Sequence, residues 1–132
     1  MKENLVDLIR AYPNVKFQLF LPPLATLIYI PAATRFLPAH LPFRKKLAED
    51  LLGFPNVALF DFQADRSISD DLARFKDPLH IDLATTREII TAIRDGQHRV
   101  RSVADMVANN RTLIDFANAH DLCAGGKALP KS

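Results

Sequence analysis

Two stretches of the chain, YPNVKFQLF at residues 12–20 and FPNVALFDF at residues 54–62, share one pattern. Each has an aromatic residue, then Pro-Asn, then a run of β-branched, aromatic and aliphatic side chains. The residue before a proline is steered out of the α region, so Pro13 and Pro55 end whatever helix precedes them. The runs that follow, residues 15–21 and 57–62, have the composition and length of buried strands. Pro22-Pro23 stops the first of them, because neither residue can donate to a ladder. Helical spacing fills the interval between the two runs. A β–α–β unit follows, and such crossovers are almost always right-handed and make the two strands parallel.

The remaining segments read as helices. Leu5, Leu8 and Ile9 predict a short amphipathic helix over residues 3–11. Residues 24–36 are helical in part, with Pro31 kinking or ending that helix. Pro42 fits the first turn of the next helix, which presents Phe43, Leu47, Leu51 and Leu52 on one face and is closed by Gly53. In the polar stretch 63–76, Ser69 is positioned to cap a short turn containing Asp70, Asp71 and Leu72. Asp82 precedes a helix reaching Arg94, with Leu83, Thr86, Ile90 and Ile93 along one stripe, Ile89 beside it and Gly96 at its end. A last helix from Ser102 to His120 buries Val103, Met106, Val107, Leu113, Ile114 and Phe116. Gly125-Gly126 opens a loose tail over 125–132, leaving residues 1–124 as a single α/β domain. An open α/β sheet ordinarily has more than two strands. The sheet is therefore expected to be incomplete, and to be completed by a second copy of the chain or by a missing N-terminal half.

Composition excludes several classes. The chain has 132 residues, 48% hydrophobic and 24% charged, values of a globular domain and not of a disordered one. Its net charge of +2 gives no field for steering nucleic acid. Arg44-Lys45-Lys46 and the cluster at residues 98–101 read as solvated faces, so no nucleic-acid partner is expected. The most apolar window, residues 17–41, carries Pro22, Pro23, Pro31 and Pro38. A spanning helix needs about 20 apolar residues with an intact ladder, so no membrane span is expected. Charges recur through the N-terminal residues, leaving no signal-peptide core after Lys2. The single cysteine, Cys123, forms no intramolecular disulfide, and the compartment stays open.

The sharpest chemical signal is Asp77-Pro78-Leu79-His80. A histidine acting as general base needs its second ring nitrogen held by an acceptor, and a carboxylate does this while stabilising the imidazolium that forms. Pro78 restricts the turn that would bring the two side chains together. Spacing alone favours the plainer reading, two side chains satisfying backbone groups at a helix entrance.

The wider context adds to this. The stretch FPNVALFDFQADRSISDDLARFKDPLHIDLATTREII, residues 54–90, resembles the C-terminal end of SGNH/GDSL-type hydrolase domains. The likeness is to the bacterial SGNH-like group that includes polysaccharide O-acetylation proteins of the alginate type. In that group an N-V-x-x-x-D-F strand precedes a polar loop and D-D-L-x-x-[FY]-x-D-x-x-H. YPNVKFQLFLPPLATLIY is similar to the group's strand and Pro-Pro loop, and the resemblance spans residues 5–94. It implies a partial three-layer, flavodoxin-like parallel sheet with flanking helices. It also implies His80 as general base, Asp77 as the acid that orients it, and an acylated carbohydrate as substrate. Relatives of this kind often work in the periplasm or cell envelope. Two departures stand out. Ile81 replaces a residue that is often aromatic, and the group's Gly-Asp-Ser nucleophile block and its oxyanion glycine and asparagine are absent here. Ser67 and Ser69 sit in a stretch with no strained elbow or glycine-rich anion hole, so they read as capping residues. The implied reading is an esterase or acyltransferase portion that is inactive alone.

No cofactor or metal site is expected. His120 and Cys123 lack further ligands, and Asp61, Asp65, Asp70 and Asp71 lack the spacing of a calcium loop, so capping and solvation account for them. His40 and His98 stand alone and read as surface groups. The competing reading is a non-catalytic α/β module that oligomerises or binds a partner through an exposed sheet edge.

Overall fold

The structure, a computed structural model, describes residues 2–29 and 36–119. Pro31, the His120/Cys123 pair and the Gly125-Gly126 tail lie outside the described residues. The chain is mixed α/β, with a small mixed sheet at its centre. A π-helical turn, Lys2–Val6, leads into α1 (Asp7–Ala11), which Tyr12-Pro13 ends. Strand β1 (Phe17–Leu21) follows and stops at Pro22-Pro23. Helix α2 (Thr26–Tyr29) and helix α3 (Leu37–Leu51) come next, then β2 (Val57–Asp61). β1 and β2 pair in parallel from Phe17 opposite Val57 to Leu21 opposite Asp61.

The Pro-Asn turns knit this unit together. The Asn56 amide nitrogen lies 3.2 Å from each of the carbonyls of Ile9, Tyr12 and Val15, at the end of α1 and the approach to β1. The Asn56 carbonyl accepts from the Phe17 amide at 2.8 Å. One side chain thus satisfies backbone acceptors that the turn would otherwise leave orphaned.

Beyond β2 come α4 (Arg66–Ser69), a 3₁₀ turn (Leu72–Arg74), β3 (Phe75–Asp77) and β4 (His80–Ile81). Helix α5 (Leu83–Arg94), β5 (Arg99–Val100) and α6 (Val103–Ala119) complete the described residues. β5 joins the free side of β2 antiparallel, giving the order β1-β2-β5. The sheet is therefore mixed, not purely parallel. A pair of residues is too short to leave a periodic signal, so β5 was invisible in the pattern of side chains. β3 and β4 form a separate two-stranded hairpin.

Both faces of the sheet are covered over β2. One side buries Val57, Leu59 and Val100 against Ile9 of α1, Leu47, Ala48 and Leu51 of α3, and Met106 of α6. The other buries Phe60 and Phe62 against Ile68 and Ile89. Each such side chain contributes about 1.5–3 kcal/mol by leaving water. β1 is different. Its outer edge carries no strand among the described residues, and Phe20 is largely exposed.

Three helix expectations need correction. α3 begins at Leu37 with Pro38 in its first turn, so Pro42 lies inside the helix. The earlier start buries Leu37 against Tyr29, Leu113 and Phe116, which offsets the missing donor at Pro42. α5 buries Thr85 and Ile89, while Leu83 and Ile90 are 60% and 62% exposed. The buried line keeps Ile93 of the expected stripe and shifts to Ile89 beside it, because these and Ala92 are the residues that pack into the cluster with Phe60 and Phe62. Ser69 caps nothing. It is buried at the end of α4, and the caps are Asp65, accepting from the Ser67 amide, and Asp71, accepting from the Ala73 amide. At the other end of α5, Gly96 takes a φ of 74°. The Gly96 amide reaches the Ile93 carbonyl and the Gln97 amide the Ala92 carbonyl, the pairing that lets a left-handed residue close a helix.

Candidate active site

The hairpin β3–β4 turns through Pro78-Leu79 and sets Asp77 opposite His80. Its base is fixed by packing: Phe75 and Ile81 join the apolar cluster of Phe60, Phe62 and Ile89. Arg74, just before it, ion-pairs with Glu88 of α5 at 2.5 Å. The tip is tied to the sheet, because the Ala25 amide donates to the Pro78 carbonyl at 3.0 Å. Ala25 belongs to the loop after β1, so the turn stands at the carboxyl end of the open edge strand. Open α/β sheets bind ligands at that end. Next to it, the Thr26 hydroxyl donates to Asp70 at 2.5 Å, joining the same loop to the end of α4.

Within the turn, the structure brings the two sequence-predicted residues together. His80 Nδ1 lies 2.8 and 2.7 Å from the two carboxylate oxygens of Asp77. The same carboxylate accepts from the amides of Leu79 at 2.9 Å and His80 at 3.1 Å. The Leu79 N–H, then the His80 ring, hold the Asp77 carboxyl below the usual carboxylate range. An ionised acceptor at Nδ1 fixes the ring's orientation and favours a proton there, leaving Nε2 as a lone-pair acceptor. Nε2 has no hydrogen-bond partner among the described residues. The side chains of His80 and Asp77 are 72% and 51% exposed. The pair is therefore oriented for proton transfer but open to water. An exposed pair of this kind adds little to stability.

No protein-family model, curated protein or solved structure matches the chain. The chemistry must be argued from the residues themselves. Ser67 donates its hydroxyl to Asp65 at 2.6 Å, and the Ser102 hydroxyl accepts from the Asp105 amide at 3.1 Å. Ser69 is fully buried. None of the three has a histidine partner among the described residues. Among the described residues, no group of three or more His, Cys, Asp or Glu side chains is placed to hold a metal ion. No helix among them is long and apolar enough to cross a membrane.

Sequence reasoning missed a buried polar network behind the carboxyl end of β2. Arg44 is fully buried, not part of a solvated face. Its guanidinium grips both oxygens of Asp61, at 3.2 and 2.5 Å, and reaches Gln63 at 2.5 Å and Asn110 at 2.7 Å. Asn109 donates to Asp61 at 2.8 Å, and Asn110 donates to the Leu41 carbonyl at 3.1 Å. Asp61 is thus a structural anion and not a solvated or capping group. His40, also expected at the surface, is half-buried, contacts Gln63 Oε1 at 2.8 Å and stacks on Phe36. Because that oxygen accepts from Arg44, His40 Nε2 is the donor. The signal available was positional. Arg44 is one heptad beyond Leu37 and one turn before Leu47 and Ala48, on the stripe that the helix buries. His98 does not stand alone either: its Nε2 lies 3.2 Å from Asp65.

Proposed function

We propose that this chain is the C-terminal part of an SGNH-like esterase or acyltransferase domain acting on acylated carbohydrate. In this reading His80 is the general base and Asp77 the residue that orients it. The sheet, now coarse mixed α/β, would be extended beyond β1 into a flavodoxin-like layer. The nucleophile would sit on polypeptide outside these 132 residues. The observation that carries the reading is the Asp77–His80 pair at the carboxyl end of the open edge strand. A base with one nitrogen held and the other unpartnered is suited to taking a proton from an attacking hydroxyl. A strand added outside β1 would bring new backbone to the side where Ala25 anchors the turn. Its arrival would also cover Phe20 and reduce the exposure of His80.

A serine-directed fluorophosphonate probe tests the division of labour. The isolated chain is expected to resist labelling, because no hydroxyl among the described residues bonds to the imidazole. Stoichiometric labelling of Ser67, Ser69 or Ser102 would overturn the claim that the nucleophile lies elsewhere.

The open edge of β1 also favours a second reading, a non-catalytic module that pairs with a second copy or another protein. Its strand, Phe17-Gln18-Leu19-Phe20-Leu21, carries no charge, and uncharged edges invite strand addition. Light scattering separates the two. A concentration-dependent dimer lost on Phe20→Lys supports the module, and a monomer at all concentrations removes it.

A further inference from the structure

The carboxyl end of β2 opens, on the side of β5, onto a cleft of about 580 Å³. Small-ligand sites commonly occupy about 300–1,000 Å³. One wall comes from the end of β2 and the start of α4, the other from one face of α6, with the turn into β5 between them. A second Asp–His pair lines it. His98 Nε2 stands 3.2 Å from Asp65 Oδ2, with side chains 35% and 15% exposed. The other Asp65 oxygen is held by the Ser67 amide at 2.9 Å and its hydroxyl at 2.6 Å. His98 has a φ of 59°, in the left-handed region that non-glycine residues seldom adopt. It is kept there by its carbonyl, which accepts from the Asp61 amide at 2.9 Å, and by its ring, packed 4.8 Å from that of Phe62.

Most of the charges around the cleft are compensated. Asp61 is paired with Arg44, Asp65 lies beside His98, and Asp105 accepts from the amides of Arg101 and Ser102. Arg66 pairs with Asp70 and covers the Phe116 ring. With Asp65 and Asp105 beside Arg66 and Arg99, the lining selects neither a strongly anionic ligand nor a bare cation. Hydrogen-bonding capacity remains instead. Asn109 gives its amide to Asp61 and keeps its carbonyl oxygen. His98 keeps Nδ1, and Arg99, also in the lining, has no ion-pair partner among the described residues. Acceptors and donors are interleaved on planar side chains. Hydroxyl groups, each able to donate and accept, complement such a lining.

We propose that this cleft binds a neutral polyhydroxylated small molecule, a mono- or disaccharide, through Asp65, His98, Asn109 and Arg99. The proposal does not depend on the Asp77–His80 reading, and binding is measured without any ester chemistry. The experiment is a titration of the ¹⁵N-labelled chain, followed by amide shifts, with glucose, galactose and maltose, and separately with inorganic phosphate and magnesium chloride. A sugar is expected to move amides in 64–67, 98–99 and 105–112, leave those of 77–80 in place, and saturate near a Kd of about 1 mM. Asp65→Asn keeps the cap acceptor and is expected to weaken binding about tenfold or more, since a charged acceptor is lost. His80→Ala is expected to change nothing. The proposal is overturned if no sugar moves the cleft amides well above millimolar concentration. It is equally overturned if phosphate or magnesium moves them instead, or if the sugars act elsewhere on the surface.

Discussion

Two Asp–His pairs sit at the carboxyl end of one small sheet, and they are assembled in opposite ways. Asp77 and His80 meet inside a single turn, where the carboxylate also accepts two backbone amides. That pair needs Pro78, a two-residue turn and little else. Asp65 and His98 meet only because β2 and β5 lie side by side, α4 begins where it does, and Gly96 reverses the chain after α5. The local pair is open to water and the long-range pair lines a cleft. A motif readable from a few letters can thus be weakly coupled to the rest of the fold. A site that depends on the whole fold leaves no trace in local spacing.

The widest separation between the two regions is expected from Arg44→Met. It leaves the Asp61 carboxylate buried without its cation, and breaking a buried pair in this way costs about 3–5 kcal/mol. That is a large share of the roughly 5–15 kcal/mol that holds a domain together. A urea titration should show a strongly lowered midpoint, partly restored in Arg44→Met/Asp61→Leu, which removes both charges. Removing the exposed carboxylate, as in Asp77→Ala, should move the midpoint far less. Equal shifts for Arg44→Met and Asp77→Ala would erase the distinction.

Asp65→Ala comes next. It removes the N-cap of α4 together with the contact to His98, and a lost cap costs about 0.5–2 kcal/mol. Thermal unfolding should show a drop in Tm that Asp65→Ser largely recovers, since serine caps nearly as well. Failure of serine to recover it would mean that the His98 contact, not the cap, carries the energy.

The contrast also explains what could be read in advance. β1 and β2 were legible because apolar runs bounded by Pro-Asn and Pro-Pro have few other solutions. The start of α5 just after Asp82 was legible, and the structure adds that Asp82 caps it through the Thr85 amide within one turn. Asp77 with His80 was legible because the two meet within one turn. The face of α5 was legible only in part, because Leu83 and Ile90 fit a helical period with Ile93 as well as Ile89 does. Only the position of the sheet decides between them. Arg44 was misread because two lysines follow it, and a basic triplet resembles a solvated patch. Its burial depends on Asp61, Gln63 and Asn110 converging from β2, the loop after it and α6.

Acid should separate the two regions along the pH axis. Burial holds the His40 imidazole below the ordinary histidine range, against the opposing pull of its bond to Gln63. The unfolded chain then takes up that proton at a higher pH than the folded one. The stability gained by keeping His40 neutral is full above about pH 6.5 and is lost as pH falls through the lower, folded value. Asp77, its carboxyl depressed by the Leu79 amide and His80, contributes fully above about pH 4 and loses its contribution only below that. Urea midpoints measured across this range should decline first through the His40 step. His40→Phe should flatten that step while leaving the lower one. Retention of the upper step in His40→Phe would assign it to another group.

The smallest energetic effect is expected from Asp77→Asn, and it bears most directly on function. Asparagine keeps a side-chain oxygen for the Leu79 and His80 amides, so the turn should persist and the urea midpoint should barely move. What changes is the partner of His80 Nδ1, which loses the two-oxygen anion lying 2.8 and 2.7 Å away. The bias that keeps a proton on Nδ1 and a lone pair on Nε2 should then weaken. Long-range ¹H–¹⁵N correlation spectra of the imidazole report this directly, as a shift of the tautomer population toward Nε2–H at neutral pH. A ring that shows the same tautomer ratio in both chains would reduce Asp77 to a turn residue. The general-base reading of His80 would then lose its orienting partner.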